Sequence, residues 1–289
     1  DAVEYMRLCS HVRGLNTGSN TAQPTTLVHL VGYSRGRGVD PSVGDNHAIR
    51  EAASHGHLVL VRSLCDLPSD RGVNPPAVRN CAIQDAASHG HLDVVRYLCD
   101  LPRDRGVDPS ARNNKALQEA ASHGHFDVVR YLCEQPRDRG VDPSANYNHA
   151  IQAAASSGHV DVLRYLCDLP RDRGVDPSAN YNHAIQTAAS SGHVDVLWYL
   201  CDLPRDRGVD PSANYNHAIQ AAASNGHVDV LWSLCDLPRD RGVDPAARDN
   251  KALREAASHG HLDVVRYLCD LPLDRGVDPS AQCTYAIVL

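Results

Sequence analysis

A 34-residue period runs through this chain and leaves few folds open to it. The motif Ala-Ala-Ser-x-Gly-His places its glycine at Gly56, Gly90, Gly124, Gly158, Gly192, Gly226 and Gly260, each 34 residues after the last. A second marker, Arg-Gly-Val followed by Asp or Asn and Pro, recurs with the same step from Gly72 to Gly276, and one step earlier it falls on Gly38. A fixed period of this size marks units too small to bury a hydrophobic face alone, so neighbouring units must stack. The spacing predicts a segment over 1–45 holding a worn first repeat, seven good repeats over 46–283, and the start of a truncated repeat at 284–289.

One unit, residues 148–181, can be read physically. Asn148 is placed to cap a helix through its side-chain oxygen, and Asn recurs there at Asn46, Asn80, Asn114, Asn182, Asn216 and Asn250. A short helix over His149 to Ser156 would carry Ile151, Ala154 and Ala155 on one face. Gly158 supplies a left-handed residue to end it. A second helix from about His159 to Cys167 would bury Val160, Leu163, Leu166 and Cys167. Pro170 stops it, since proline cannot continue a helix. A turn-rich connector, Arg171 to Ser178, leads to the next Asn.

Residues 150–167, Ala-Ile-Gln-Ala-Ala-Ala-Ser-Ser-Gly-His-Val-Asp-Val-Leu-Arg-Tyr-Leu-Cys, resemble the helix–turn–helix of the ankyrin repeat, and Gly174-Val175-Asp176 resembles the family's Gly-Ala-Asp. The resemblance is strong over 46–280 and weak over 22–45. It implies an all-α, ankyrin-type helix–turn–helix repeat solenoid, drawn as a curved stack, that binds protein without catalysis. Three departures stand out. Asn replaces the family's Thr-Pro-Leu-His start. The segment after the second helix is about four residues longer than the family's, and the stretch before the next helix is shorter by about as much. The projecting β-hairpin finger is therefore expected to be stunted or missing.

Composition excludes several alternatives. The 289 residues carry a formal net charge of −7, which argues against nucleic acid or an anionic membrane as the main partner. No apolar run reaches the roughly 20 residues of a membrane span. Aromatics make up only 5% of the chain, so Ala, Val, Leu and Ile must fill the interior. There is no phosphate-binding glycine loop, no His-Glu-x-x-His and no Cys-x-x-Cys. The reading is therefore not an enzyme, with no cofactor and no metal. The sequence begins at Asp1 without Met and ends inside a repeat, which is read as a fragment of a longer protein.

Residues locked to the repeat have structural readings. Cys65, Cys99, Cys133, Cys167, Cys201, Cys235 and Cys269 share one position on the second helix. Adjacent helices pack about 8–10 Å apart, too far for a disulfide or a shared zinc ion. They are read as buried thiols, and so many favour a reducing, intracellular and cytoplasmic setting. Cys9, Cys81 and Cys283 lie outside the register. His57, His91, His125, His159, His193, His227 and His261 follow the turn glycine, where the resemblance implies a structural histidine bonding backbone between repeats. His55, His89, His123 and His259 precede that glycine, on the side the family exposes. The Arg-Asp-Arg connectors suggest a ladder of exposed ion pairs.

Residues that depart from the repeat point to partner binding. By family geometry, the concave face is built from the first helix and the residues before it. Arg112, Lys115, Glu119 and His123 charge that face in one outer repeat, and Lys251, Arg254, Glu255 and His259 do so in another. In three central repeats it becomes uncharged and identical: Asn146-Tyr147-Asn148-His149, Asn180-Tyr181-Asn182-His183 and Asn214-Tyr215-Asn216-His217. Two readings of the tyrosines stand. They form the core of a docking site, since Tyr joins a large apolar face to a polar tip, or they are a by-product of unit duplication and pack on neighbouring connectors. His149, His183 and His217 are helix-start polarity or a pH-dependent contact.

Trp198 and Trp232 replace an exposed arginine (Arg96, Arg130, Arg164, Arg266) and lie one repeat apart. They are read as an outward contact with another subunit or another part of the protein. The function expected is a protein-binding scaffold working through the central concave strip. The alternatives are a structural subunit inside a larger complex, and a targeting arm of an enzyme whose catalytic domain lies outside this sequence.

Overall fold

The computed structural model of the protein describes residues 43–67 and 73–280. The worn repeat expected before residue 43, the truncated repeat at 284–289, Cys9 and Cys283 lie outside the described residues. Within them the chain forms two compact units, one before and one after the boundary between Asp142 and Pro143. The first holds helices α1 (Val43–Ser54), α2 (Leu58–Cys65), α3 (Ala77–Ser88), α4 (Leu92–Asp100), α5 (Ala111–Ser122) and α6 (Phe126–Cys133). The second holds α7 (Ala145–Ser156), α8 (Val160–Asp168), α9 (Ala179–Ser191), α10 (Val194–Asp202), α11 (Ala213–Ser224), α12 (Val228–Cys235), α13 (Ala247–Ser258) and α14 (Leu262–Cys269). Within each unit, neighbouring odd-numbered helices pack on one another, neighbouring even-numbered helices do the same, and each odd helix packs on the even helix after it. Each unit is thus an all-α helix–turn–helix repeat solenoid, and no β-strand occurs among the described residues.

Close packing of the odd helices follows from their alanines. Ala154 and Ala155 in α7 and Ala188 and Ala189 in α9 are fully buried, with Ile151 and Ile185 beside them. Small side chains let neighbouring backbones approach. In α8 the buried residues are Val162, Leu163, Leu166 and Cys167. Val162 therefore takes the core place that periodicity assigns to Val160, which is only half-buried. Each fully buried Leu or Ile contributes about 1.5–3 kcal/mol by leaving water.

The turn between the two helices reads as the sequence suggests. Gly158 has φ +79°, in the left-handed region that glycine enters without a Cβ penalty. Five of the histidines that follow a turn glycine reach back one repeat. His193 Nε2 bonds the Ser156 carbonyl at 3.0 Å, and His227 bonds Ser190, His261 Ser224, His91 Ser54 and His125 Ser88 in the same way. The histidines before the glycine also have local work. His89 and His123 hold the carbonyls of Asp85 and Glu119 through Nδ1, satisfying groups that a helix end leaves open.

The start of each odd helix corrects the sequence reading. Asn148 does not cap its own helix. Asn146, Tyr147 and Asn148 all have positive φ, 54°, 57° and 62°, and make one left-handed turn before the right-handed helix begins. The same turn opens five other odd helices, at residues 78–80, 112–114, 180–182, 214–216 and 248–250. A non-glycine residue in this region costs about 1–2 kcal/mol, and Asn tolerates it best. Two recurring hydrogen bonds offset the cost. Asn148 Oδ1 accepts the Asp176 backbone N–H at 2.9 Å, 28 residues further on, and all seven register asparagines make this bond. Gln152, Gln186 and Gln220, all buried, donate from Nε2 to the carbonyls of Tyr147, Tyr181 and Tyr215 at 2.5–2.6 Å. The left-handed turn is thus clamped from both sides.

The connectors carry two arginines with different tasks. Arg171 pairs with Asp206 at 2.6 Å and Arg205 with Asp240 at 2.5 Å, and Arg239 with Asp274, all strongly exposed. These are the surface ladder the sequence suggests. The second arginine turns inward: Arg207 and Arg241 donate to the carbonyls of Cys167 and Cys201 at 2.8 Å, closing the end of the preceding repeat's even helix.

Candidate functional site

Both surfaces singled out by the sequence lie in the second unit. On the odd-helix side, the clamped left-handed turns present Tyr147, Tyr181 and Tyr215 with 79%, 83% and 72% of their surface exposed. Such exposure contradicts packing against a neighbour's connector. Asn146, Asn180 and Asn214 stand exposed beside them, and the Asn148, Asn182 and Asn216 side chains turn away to their connector bonds. The next repeat brings Arg248, whose guanidinium lies 5.2 Å from the Tyr215 ring centre, whereas uncharged Asn180 and Asn214 hold that register after Tyr147 and Tyr181. His149 and His217 are exposed and His183 half-buried at the first position of the right-handed helix. Partial desolvation, with Lys251, His183 and Arg248 nearby, holds the pKa of His217 below the ordinary imidazole value.

On the even-helix side a stacking ladder supports the two tryptophans. Arg62 lies over Tyr97 at 5.3 Å, Arg96 over Tyr131 at 5.4 Å and Arg164 over Tyr199 at 5.1 Å, each across one repeat. The tyrosine hydroxyls in turn meet thiols of the cysteine register: Cys65 with Tyr97, Cys99 with Tyr131, Cys167 with Tyr199 and Cys235 with Tyr267. Burial pushes the Cys99 and Cys167 thiols up to about 12 and Cys65 and Cys201 to about 11. They therefore stay protonated and inert. Seven buried register thiols is one expectation the structure corrects, because Cys235 is half-buried and Cys269 exposed.

At Trp198 and Trp232 the ladder changes character. Ser233 occupies the position that Tyr97, Tyr131 and Tyr199 hold in other repeats, and Trp198 Nε1 donates to its hydroxyl oxygen at 2.8 Å. Ser233 donates onward to the Asp229 carbonyl at 2.9 Å. Trp232 meets Tyr267 edge-on, with ring centres 6.0 Å apart. Both indoles remain more than half exposed, at 63% and 54%, and line one open groove of about 850 Å³. The loss of the Tyr at 233 opens this groove. That signal stands in the sequence, in the same repeat as Trp232, and was not read from it.

Among the described residues no group of three or more His, Cys, Asp or Glu could hold a metal ion, and no helix is long and apolar enough to cross a membrane. What the fold and these surfaces define is a class: a helical repeat protein whose distinctive residues face outward instead of enclosing a reaction centre.

The family follows from comparison with known proteins. The family described as "Ankyrin repeats (3 copies)" matches residues 49–147, 136–215 and 203–283. The chain belongs to the ankyrin repeat family. Among solved structures it is similar to an ankyrin repeat family protein from Legionella pneumophila, at 20% identity, over 98% of this chain and 89% of that one, with a TM-score of 0.38. No curated protein matches the chain. Ankyrin repeats generally mediate protein–protein interaction, and the family is generally non-catalytic.

Proposed function

We propose that this chain is a non-catalytic scaffold that holds a protein partner on the tyrosine row of its second unit. The observation that carries this reading is the exposure of Tyr147, Tyr181 and Tyr215, each above 70%, on backbone clamped by the asparagine and glutamine bonds. A rigid turn costs little further ordering when a partner docks. Three tyrosines supply broad contact surface with only two side-chain torsions each. Asn146, Asn180 and Asn214, with His149, His183 and His217, supply hydrogen-bonding groups around them. The net charge of −7 favours protein over nucleic acid. The abundant thiols suit a reducing cytoplasm, which is part of the same proposal.

Capture from lysate of the source cell tests the reading. The 289-residue chain is used as bait beside a Tyr147, Tyr181, Tyr215→Ala variant and a Trp198, Trp232→Ala variant. Both variants must keep the far-ultraviolet circular dichroism of the parent. A protein lost only with the tyrosines supports the proposal. Retention of every partner by the tyrosine variant would overturn it and leave the even-helix side as the attachment surface.

A further inference from the structure

The groove beside Trp198 and Trp232 has a chemistry of its own, independent of the tyrosine row. Three aromatic rings, Trp198, Trp232 and Tyr267, line it together with the carboxylates of Asp195, Asp229 and Asp236. We propose that it is a receptor for an arginine side chain on a basic peptide segment of a partner protein.

The chain supplies the template for this occupant. In three of the repeats without tryptophan, the protein sets its own guanidinium over the next tyrosine: Arg62 on Tyr97, Arg96 on Tyr131 and Arg164 on Tyr199. Arg130, in the same register, lies instead over Phe126 of its own helix and pairs with Asp127, three residues before it, at 2.8 Å. Replacing this arginine by Trp198 and Trp232 removes the internal cation and keeps the acids: Asp195 and Asp229 stand three residues before the indoles. Elsewhere in this register a tyrosine face or, at Asp127, a carboxylate receives a guanidinium from within, and here that arginine is replaced by an indole. Cations bind over Trp more strongly than over Tyr or Phe, so the exchange strengthens the aromatic wall for a cation from outside.

Two further features fit such an occupant. The hydrogen bonds from Trp198 to Ser233 and from Ser233 to Asp229 fix the first indole before anything binds. The groove's one lining cation, Arg275, is engaged by the Cys235 thiol. The three acids against one arginine leave the groove negative.

The chain contains only two tryptophans, so its fluorescence reports this groove directly. The capped peptide Gly-Arg-Gly-Arg-Gly is titrated into the full chain at low salt, beside the same peptide with citrulline, which keeps the shape and removes the charge. The expected result is a saturable change in emission with arginine, half-complete below about 1 mM, and none with citrulline. Trp232→Arg, which restores the ladder over Tyr267 and keeps Trp198 as reporter, should abolish it. Asp195→Asn with Asp229→Asn should weaken it about fivefold or more. The Tyr147, Tyr181, Tyr215→Ala variant should bind as the parent does, so that failure here and failure of the tyrosine row are separate results. An equal response to citrulline, or binding retained by Trp232→Arg, would overturn the proposal. So would emission that shifts with protein concentration alone while the sedimentation mass doubles, since a second copy would then own the groove.

Discussion

Substituting alanine at two turn glycines should have unequal effects, although their backbones are nearly the same. Gly158 and Gly260 have φ +79° and +76°, so alanine meets a similar left-handed penalty of about 1–2 kcal/mol at either place. The entropy that alanine removes from the unfolded chain is also common to both. Their surroundings differ. A Cβ on Gly158 would stand 2.6 Å from His193 Nδ1 and 2.8 Å from its Cε1, whereas nothing among the described residues lies within 4 Å of one on Gly260. The His193 ring must move, and its 3.0 Å bond to the Ser156 carbonyl goes with it. A hydrogen bond of this kind is worth about 0.5–1.5 kcal/mol net. Gly158→Ala should therefore cost about 1 kcal/mol more than Gly260→Ala, by urea unfolding followed by circular dichroism at 25 °C. His193→Ala added to Gly158→Ala should cost almost nothing further, because the bond is already gone. Equal losses at the two glycines, with His193→Ala fully additive, would refute the cross-repeat role of the histidine.

Three shorter predictions follow from the same geometry. Asn182→Gly keeps the left-handed backbone but loses the bond to Asp210 N–H, and should cost about 1–2 kcal/mol in urea unfolding. Asn182→Ala should cost about 1 kcal/mol more than the glycine variant, because φ there is +63°. Iodoacetamide at pH 7.5, read by peptide mass mapping, should label exposed Cys269 well before buried Cys99 and Cys167, whose thiols burial pushes up to about 12. Equal rates in the folded protein would contradict the burial. Because desolvation and nearby Lys251, His183 and Arg248 lower the folded pKa of His217, its protonation opposes folding. Its contribution is whole above the unfolded value near 6.5 and is lost as pH falls below it toward the folded pKa. His217→Gln should accordingly lose less thermal stability than the parent between pH 7.5 and 5.5.

The parts of this fold legible in the sequence are those set by period and by backbone necessity. Gly158 marks a left-handed turn whatever surrounds it, and Ile151, Ala154 and Ala155 fall on one helical face by spacing alone. The partners of polar groups were not legible, because they are set one repeat away. Asn148 looks like a helix cap locally, yet its acceptor serves Asp176, 28 residues on. Gln152 recurs every 34 residues, from Gln84 to Gln220, yet its role appears only with the left-handed turn it clamps. The two arginines of an Arg-Asp-Arg connector are identical as sequence, and only packing sends one, as Arg205, to the surface and the other, as Arg207, to a cysteine carbonyl. Of the candidate surfaces, the uncharged Asn-Tyr-Asn-His units and the paired tryptophans stood out by breaking the repeat. The acids and Ser233 that shape the groove stayed hidden, since Asp195 and Asp229 repeat in every unit but one described even helix.

Hydrogen exchange of the chain with and without the partner captured through the tyrosines tests the central claim most directly. The account predicts that slowed exchange gathers at residues 146–149, 180–183 and 214–217, with the even helices unchanged apart from the groove beside Trp198 and Trp232. Protection confined to the even helices and connectors, with those three turns exchanging as in the free chain, would contradict it.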